Sequence, residues 1–319
     1  MNTSPHFTVQ KLSECVAALI ASEGGAAIAN AALIDLGDEV LAFDCTLTPQ
    51  AGRHMLQASK DLFGRAPSLL IYSHYHNDHI WGAQAFAGPG KARVLCAVAA
   101  AKQIETDGKL EVEWYSATSA GRLAALKKEL LQEERNGNAL AAQQKRMWIG
   151  YYDGLVKAMP GLRVIAPSIT FIDSLTIQGT KKQAHLVEYQ KAHTQSDSVL
   201  FLPDEGTAFL ADLLFVGHHP YLADGDPDKL LEALRDLRQR APRCVVGGHG
   251  QVGTAVDLDL MISYIEECQH VAEDMVAAGT VSEAQIGAQR PSKRFASWNL
   301  GHFYQANLDF LIKRSLPLS

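Results

Sequence analysis

At 319 residues the chain can build one large core or two ordinary ones, and its 47% hydrophobic and 20% charged content is neither disordered nor fibrous in character. A formal net charge of −6, with no basic run longer than Lys127-Lys128 and Lys181-Lys182, provides no positive field for a polyanion, so a nucleic-acid partner is not expected. The N-terminus has no basic segment followed by an apolar one, and no stretch reaches the roughly 18 apolar residues that span a bilayer, so a cytoplasmic protein without a membrane partner is expected.

In chain order, AAIANAALIDLGDEVLAFDC predicts two strands, Ala26 to Leu36 and Val40 to Cys45, joined as a hairpin by Gly37-Asp38. A helix from about Ala51 to Phe63 follows, then Pro67 and the apolar strand SLLIYS, which delivers the chain into His74. After Ile80 a short helix should run to about Ala87, where Gly88-Pro89-Gly90 stops it; RVLCAV then gives a strand and Ala99 to Thr106 a helix. Between about Ser116 and Met159 the rhythm changes. Leu123, Leu126, Leu130 and Leu131 fall at helical spacing, Asn136-Gly137-Asn138 makes a turn, and Met147, Tyr151, Leu155 and Met159 resume the spacing, predicting an inserted helical hairpin over about 116–160.

Strands return near Ile169 to Phe171, Leu175 to Ile177, Ala184 to Tyr189, Val199 to Leu202 and Thr207 to Ala211, with Pro203 to Gly206 as a turn. A helix Asp228 to Gln239, a strand Cys244 to Gly247 and a long helix Asp257 to Ala278 follow; a helical tail, about 280–319, includes Trp298 to Lys313. Two β-rich halves, each ending in helices, suggest an αββα layering in which helices cover the outer faces of two packed sheets, with the whole chain read as one domain.

The chemistry concentrates at Ser73-His74-Tyr75-His76-Asn77-Asp78-His79, where three imidazoles and a carboxylate lie within six residues after an apolar strand. No strand holds these side chains on one face, so a loop must, and imidazole nitrogen with carboxylate oxygen suits zinc and similar divalent ions. A solvated polar loop is the bland alternative. Three further residues lie beside other predicted strands: His193 in KAHTQSDSVLFL, Asp212 in FLADLLF and His249 in VVGGHG. Taken singly, each would be ordinary loop chemistry.

Taken in order, HxHxDH, a His before a small polar run, an Asp ending an apolar strand and a GH after another strand resemble the metallo-β-lactamase superfamily over about Gly25 to His249. The resemblance implies a four-layer αββα sandwich with two metal ions, zinc first and iron or manganese as alternatives, at one edge of the sheets. It implies that His74, His76 and His193 hold one ion, Asp78, His79 and His249 the second, and that Asp212 bridges them. GGHG at Gly247 to Gly250 stands where the family commonly has PGHG, which is expected to relax that turn. Asn77 stands where flavodiiron relatives carry a ligating Glu, which disfavours an oxygen-reducing di-iron site.

A di-zinc hydrolase of a small carbonyl compound is therefore expected: an ester, lactone, thioester or amide, with β-lactams included. Asp78, as ligand and orienter of the attacking hydroxide, Asp212, as bridge, and Tyr221, as hydrogen-bond donor to substrate, are the candidate catalytic residues. A phosphodiesterase or nuclease, an iron-dependent sulfur or oxygen redox enzyme, and a non-catalytic metal-stabilised module are the alternatives. Leu213 to Pro227 is read as a loop that offers His218, His219 and Tyr221, although a packed Tyr is the commoner arrangement. Trp114, Tyr115, Trp148, Tyr151 and Tyr152, near the ends of the insertion, form either a wall over the metals or the hairpin's own core, and the same surface would suit a homodimer. The five cysteines, never paired as CxxC, are read as buried hydrophobes, a position near the site being the alternative for Cys45 because it follows the apolar run Val40 to Phe43.

Overall fold

The computed structural model describes residues 4–87 and 92–316, and its first two strands, β1 (Phe7–Lys11) and β2 (Val16–Ala21), precede every strand expected above. The strand β2, VAALIA, is half alanine, a residue depleted in strands, yet it is almost wholly buried and pairs on both sides. The expected hairpin is present as β3 (Ala31–Asp35) and β4 (Val40–Phe43). It is shorter than the sequence suggested: Ala26 to Asn30 leave the ladder, with Ile28 at φ 66°.

Helix α1 (Pro49–Phe63) begins where Thr48 caps the amide of Ala51 and Pro49 supplies a preset φ, and ends at Gly64 in the left-handed region. Strand β5 (Leu69–Ile71) follows, and Asn77–Ile80, expected within a loop, form the one-turn helix α2; a 3-10 segment Trp81–Phe86 where a short helix was expected, β6 (Arg93–Ala97) and α3 (Val98–Glu105) come next. The predicted stop at Gly88-Pro89-Gly90 lies outside the described residues. The inserted hairpin comprises α4 (Asp107–Arg135) and α5 (Ala139–Ala158). It starts well before Ser116, because the chain continues helically past Thr106 with no proline to stop it, so Trp114 and Tyr115 sit inside α4.

The second half forms β7 (Ile169–Phe171), β8 (Ser174–Gln178), β9 (Gln183–Gln190), β10 (Ser196–Leu202), β11 (Thr207–Phe215), α6 (Pro227–Gln239), β12 (Cys244–His249) and α7 (Ala255–Ala277). The tail is α8 (Glu283–Ala288) and α9 (His302–Ser315). Trp298, expected inside the last helix, instead stacks on Tyr264 at 5.3 Å, and the helix starts only after Gly301.

One sheet runs β1 to β7 in sequence order, antiparallel as far as β4 and parallel from β4 to β7; the other is ordered β12-β11-β10-β9-β8. Along β11, Phe209 and Ala211 point into the core between the sheets while Ala208 and Leu210 face the outer helices, the two-residue alternation of a strand buried on both faces. Phe43 of one sheet meets Phe209 of the other at 6.3 Å. Leu230 and Leu234 of α6 and Leu258 and Ile265 of α7 cover the outer face of the second sheet, and Met55 of α1 and Ile104 of α3 join the first core. This is the αββα layering, with the inserted hairpin and the C-terminal helices added. Among the described residues no helix is long and apolar enough to cross a membrane.

Candidate metal centre

Six of the seven candidate residues stand at strand ends or on the short turns beside them, and the seventh, Asp212, lies within a strand. His74 and His76 occupy the turn after β5, and Asp78 and His79 the single turn of α2. His193 lies between β9 and β10, and His249 is the last residue of β12. Asp212 is in the middle of β11, which runs on through Leu213 to Phe215 where a loop was expected. A register shift and a φ of 44° at Ala211 mark a bulge immediately before it, a device that re-aims a side chain out of the regular alternation.

Together these residues form two groups. His74 Nε2 is 2.9 Å from His76 Nδ1, which is 3.2 Å from His193 Nε2. Asp212 Oδ2 faces this group, 3.3 Å from His193 Nε2 and 4.0 Å from His74 Nε2. Asp212 Oδ1 faces the other, 3.1 Å from His79 Nε2 and 3.4 Å from His249 Nε2, while Asp78 Oδ2 is 3.6 Å from His249 Nε2. Within each group the donor atoms lie within 4.8 Å of one another. Donors about 2.0–2.1 Å from a tetrahedral ion stand roughly 3.3 Å apart.

Proton placement tests whether cations fit. A carboxylate only accepts hydrogen bonds, so His79 Nδ1, 2.7 Å from Asp44 Oδ2, must carry a proton, and its Nε2 presents a lone pair. His76 Nε2 likewise donates to Asp224 Oδ2 at 2.8 Å, which leaves Nδ1 bare. Ser73 Oγ donates to Asp44 Oδ2 and so accepts from His74 Nδ1 at 2.9 Å, leaving His74 Nε2 bare. His79 Nε2 and Asp212 Oδ1 are buried without a hydrogen-bond partner. Lone pairs thus converge on lone pairs at both groups, an arrangement that is costly when buried and that a divalent ion satisfies. The donor set fits two such ions.

The electrostatics agree. Burial pushes the Asp212 carboxyl up, but the imidazoles of His79 and His249 outweigh it and hold it well below the usual carboxylate range. Burial also pushes the His79 imidazole down, and Asp212, Asp44 and Asp78 more than reverse it, so the field there calls for positive charge. Cys45 adds nothing to this set. Its thiol is buried, pushed well above its ordinary value first by burial and then by Asp44, and directed at the His79 carbonyl oxygen, 3.1 Å away.

The last motif is firmly held, contrary to the looser turn expected of GGHG. Asn30 donates from Nδ2 to the carbonyls of Gly247 and Gly250, both at 2.9 Å, and its backbone amide donates to Gly248 at 2.7 Å. A Cβ at position 247 would lie 2.1 Å from the carbonyl oxygen of Leu214, so the family's proline has no room here.

A cavity of about 570 Å³ opens over the two groups. Tyr115, Trp148, Tyr151 and Tyr152 of the insertion line it, as do Tyr221 and Phe303, whose rings lie 5.4 Å apart. The insertion therefore walls the site, although Trp114 is 54% exposed and outside the lining. Asn77 ties it down, donating toward Glu111 Oε1 of α4 and the Tyr151 hydroxyl of α5, each at 3.4 Å. Burial, followed by Asp78 and Asp224, pushes the Glu111 carboxyl up to about 8. His218 reaches the cavity with Nδ1 donating to the Val216 carbonyl at 2.8 Å, whereas His219 is buried against the Tyr264 hydroxyl, outside the lining.

Sequence reasoning missed four residues that position the site: Asp44, Asp224, Asp197 and Asn30. Asp197 accepts from the amides of His193 and Thr194 and so fixes the turn that carries His193. Asp44 had a usable signal, since it follows the apolar strand β4 much as Asp212 interrupts β11; Asp224 and Asn30 had none.

The metallo-beta-lactamase superfamily model matches residues 24–249. No curated protein matches the chain. Among solved structures, a metallo-beta-lactamase from Pontibacter korlensis aligns with a TM-score of 0.57 and 16% identity over 82% of this chain and 99% of that one. The metallo-beta-lactamase FIM-1 from Pseudomonas aeruginosa, in a mono-zinc form, aligns with a TM-score of 0.57 and 14% identity over 82% of this chain and 95% of that one.

Proposed function

Because the chain belongs to the metallo-β-lactamase superfamily, we propose that it is a di-zinc hydrolase of small carbonyl compounds: esters, lactones, thioesters or amides, β-lactams among them. The observation that carries this reading is the division of the Asp212 carboxylate, one oxygen toward the His74, His76 and His193 group and the other toward His79 and His249. His74, His76 and His193 would hold one ion, Asp78, His79 and His249 the other, with Asp212 common to both. When bound, two such ions supply Lewis acidity toward a carbonyl oxygen and bring the pKa of a water toward neutrality.

The chain's own residues do the positioning. Asp44, Ser73 and Asp224 fix the tautomers of three imidazoles so that their lone pairs face inward. Asp78 offers a carboxylate oxygen on the cavity side to orient the O–H bonds of an attacking water. Tyr221, whose hydroxyl burial and then Asp224 hold above its ordinary value, stays protonated at neutral pH as a donor toward the oxygen on which negative charge develops. Hydrolysis then adds the water's oxygen to the carbonyl carbon, breaks the bond to the leaving group and moves the water's proton to that group.

The test is element analysis of protein expressed without added metal, joined to ester, lactone, thioester, β-lactam and phosphodiester assays on the same sample. Two zinc per chain with carbonyl hydrolysis is expected. Asp212→Ala should lose at least one ion and abolish turnover; full activity with both ions retained would overturn the assignment, as would iron with oxygen consumption or a dominant phosphodiesterase activity.

A further inference from the structure

The chain has 29 lysines and arginines, yet none lies among the described residues that line the cavity over the metal centre. Five carboxylates do: Asp78 and Asp212 at the proposed metals, and Glu23, Glu111 and Asp224 beyond them. Asp224 is engaged by His76 and Tyr75, and Glu23 accepts from Gln143. Glu111 Oε2 is buried with no hydrogen-bond partner. Burial holds the Glu111 carboxyl protonated near neutral pH, so two divalent ions would bring four positive charges against the four remaining carboxylates, and the loaded site still lacks the surplus positive charge that would receive an anion.

What the walls do offer is aromatic surface. Trp148 packs edge-on to Tyr151 at 5.4 Å and Tyr151 to Tyr152 at 4.9 Å. Trp148 also meets His302 of α9 at 5.3 Å, and Phe303 beside it meets Tyr221. The insertion, the C-terminal helix and the loop after β11 are thereby joined in one run of aromatic contacts along the cavity wall. Such a wall gains from ring stacking and apolar burial, whereas a carboxylate, sulfonate or phosphate placed against it is desolvated with no partner.

We propose that this cavity takes acyl substrates that carry an aromatic or extended apolar group and no negative charge, and that it discriminates against anionic analogues of the same shape, which narrows the substrate class above by setting aside β-lactams that carry a carboxylate or sulfonate. The selectivity rests on the hydrolase reading above, but it is a property of the walls rather than of the metal ligands.

The test compares 4-nitrophenyl phenylacetate with its ring 4-sulfonate on the metal-loaded enzyme, the sulfonate being chosen as a weak ligand for divalent ions. The neutral ester should be favoured at least roughly 30-fold in kcat/KM, mostly through KM. Gln144→Arg, which puts a cation on the lining face of α5, should narrow that gap at least roughly fivefold with metal content unchanged. Trp148→Ala should raise KM for the phenylacetate more than for 4-nitrophenyl acetate. Equal kcat/KM for the neutral and sulfonated esters would overturn the proposal. A second measurement separates it from the hydrolase reading: quenching of tryptophan fluorescence by the unreactive ketone 4-phenyl-2-butanone and by its ring sulfonate. If neither ester is hydrolysed with two ions bound, the hydrolase reading fails. The ketone binding at least roughly tenfold more tightly than its sulfonate still supports the selective cavity, and equal binding defeats it.

Discussion

At the scale of single residues, the site depends on which imidazole nitrogen holds the proton. Asp44 decides this for His79, because a buried carboxylate can only accept from Nδ1. Asp44→Asn keeps the shape but lets an amide N–H face that nitrogen, so the opposite tautomer forms and Nε2 loses its lone pair. The expected outcome is roughly 10–100-fold weaker binding of one ion of the two, read by competition with a chromophoric chelator; unchanged affinity for both would remove Asp44 from the role. Gly248 acts through space instead. A Cβ there would lie 1.8 Å from Asp212 Oδ1, so Gly248→Ala must displace the carboxylate shared by the two groups. Loss of at least one ion with an unaltered far-UV spectrum is expected, and two ions retained at wild-type affinity would show that the carboxylate can move without consequence.

At the scale of elements, Asn30 links the strands that the site draws together. It accepts from the amide of Ala21 at the end of β2 and donates to Gly247 within β12, which belongs to the other sheet, and to Gly250 just after that strand. Asn30→Ala removes these bonds and leaves the Gly247 and Gly250 carbonyls and a β2 amide short of partners. The expected cost is about 2–3 kcal/mol in denaturant unfolding, together with weaker retention of the ion that His249 would hold; a change below about 0.5 kcal/mol would mean water replaces the clamp. Nothing in the sequence marks this residue, since one Asn in an apolar run reads as a strand position. Where the pattern was dense the sequence was legible: HxHxDH after SLLIYS as a family signature and the αββα rhythm stand as read, and the inserted hairpin turns at Asn136-Gly137-Asn138 although its first helix begins earlier than expected. Ala-rich β2 was hidden by its helix-like composition. The bulge at Ala211 was hidden because the φ of one alanine is set by its neighbours in the sheet, and Asp224 because its partner His76 lies 148 positions away.

At the scale of the whole molecule, the two groups of donors bridge two sheets. His74, His76, Asp78 and His79 follow β5 of the seven-stranded sheet, and His193, Asp212 and His249 belong to the five-stranded one. Bound ions would therefore act as cross-links between the halves as well as chemical groups. An ion at about 100 times its dissociation constant stabilises the native state by about 2.7 kcal/mol, so two should raise Tm by something on the order of 5–10 °C. The pH dependence follows from which state binds protons. In the loaded protein an imidazole nitrogen that holds metal would have no room for a proton, so acid would compete with the ions for the same lone pairs. The stabilisation that the ions supply is then present above about pH 6.5, where a free imidazole is neutral, and lost as pH falls. In the chelated protein His79 behaves oppositely: against the effect of burial, Asp212, Asp44 and Asp78 hold it well above the ordinary value. A proton there contributes stability below about pH 6.5 that is lost as pH rises through its folded pKa. The difference in Tm between loaded and chelated protein should accordingly be widest above neutral pH and close toward pH 5, measured by calorimetry at matched ionic strength. A difference that is absent at pH 8, or that widens on acidification, would show that the two sheets hold together without the ions.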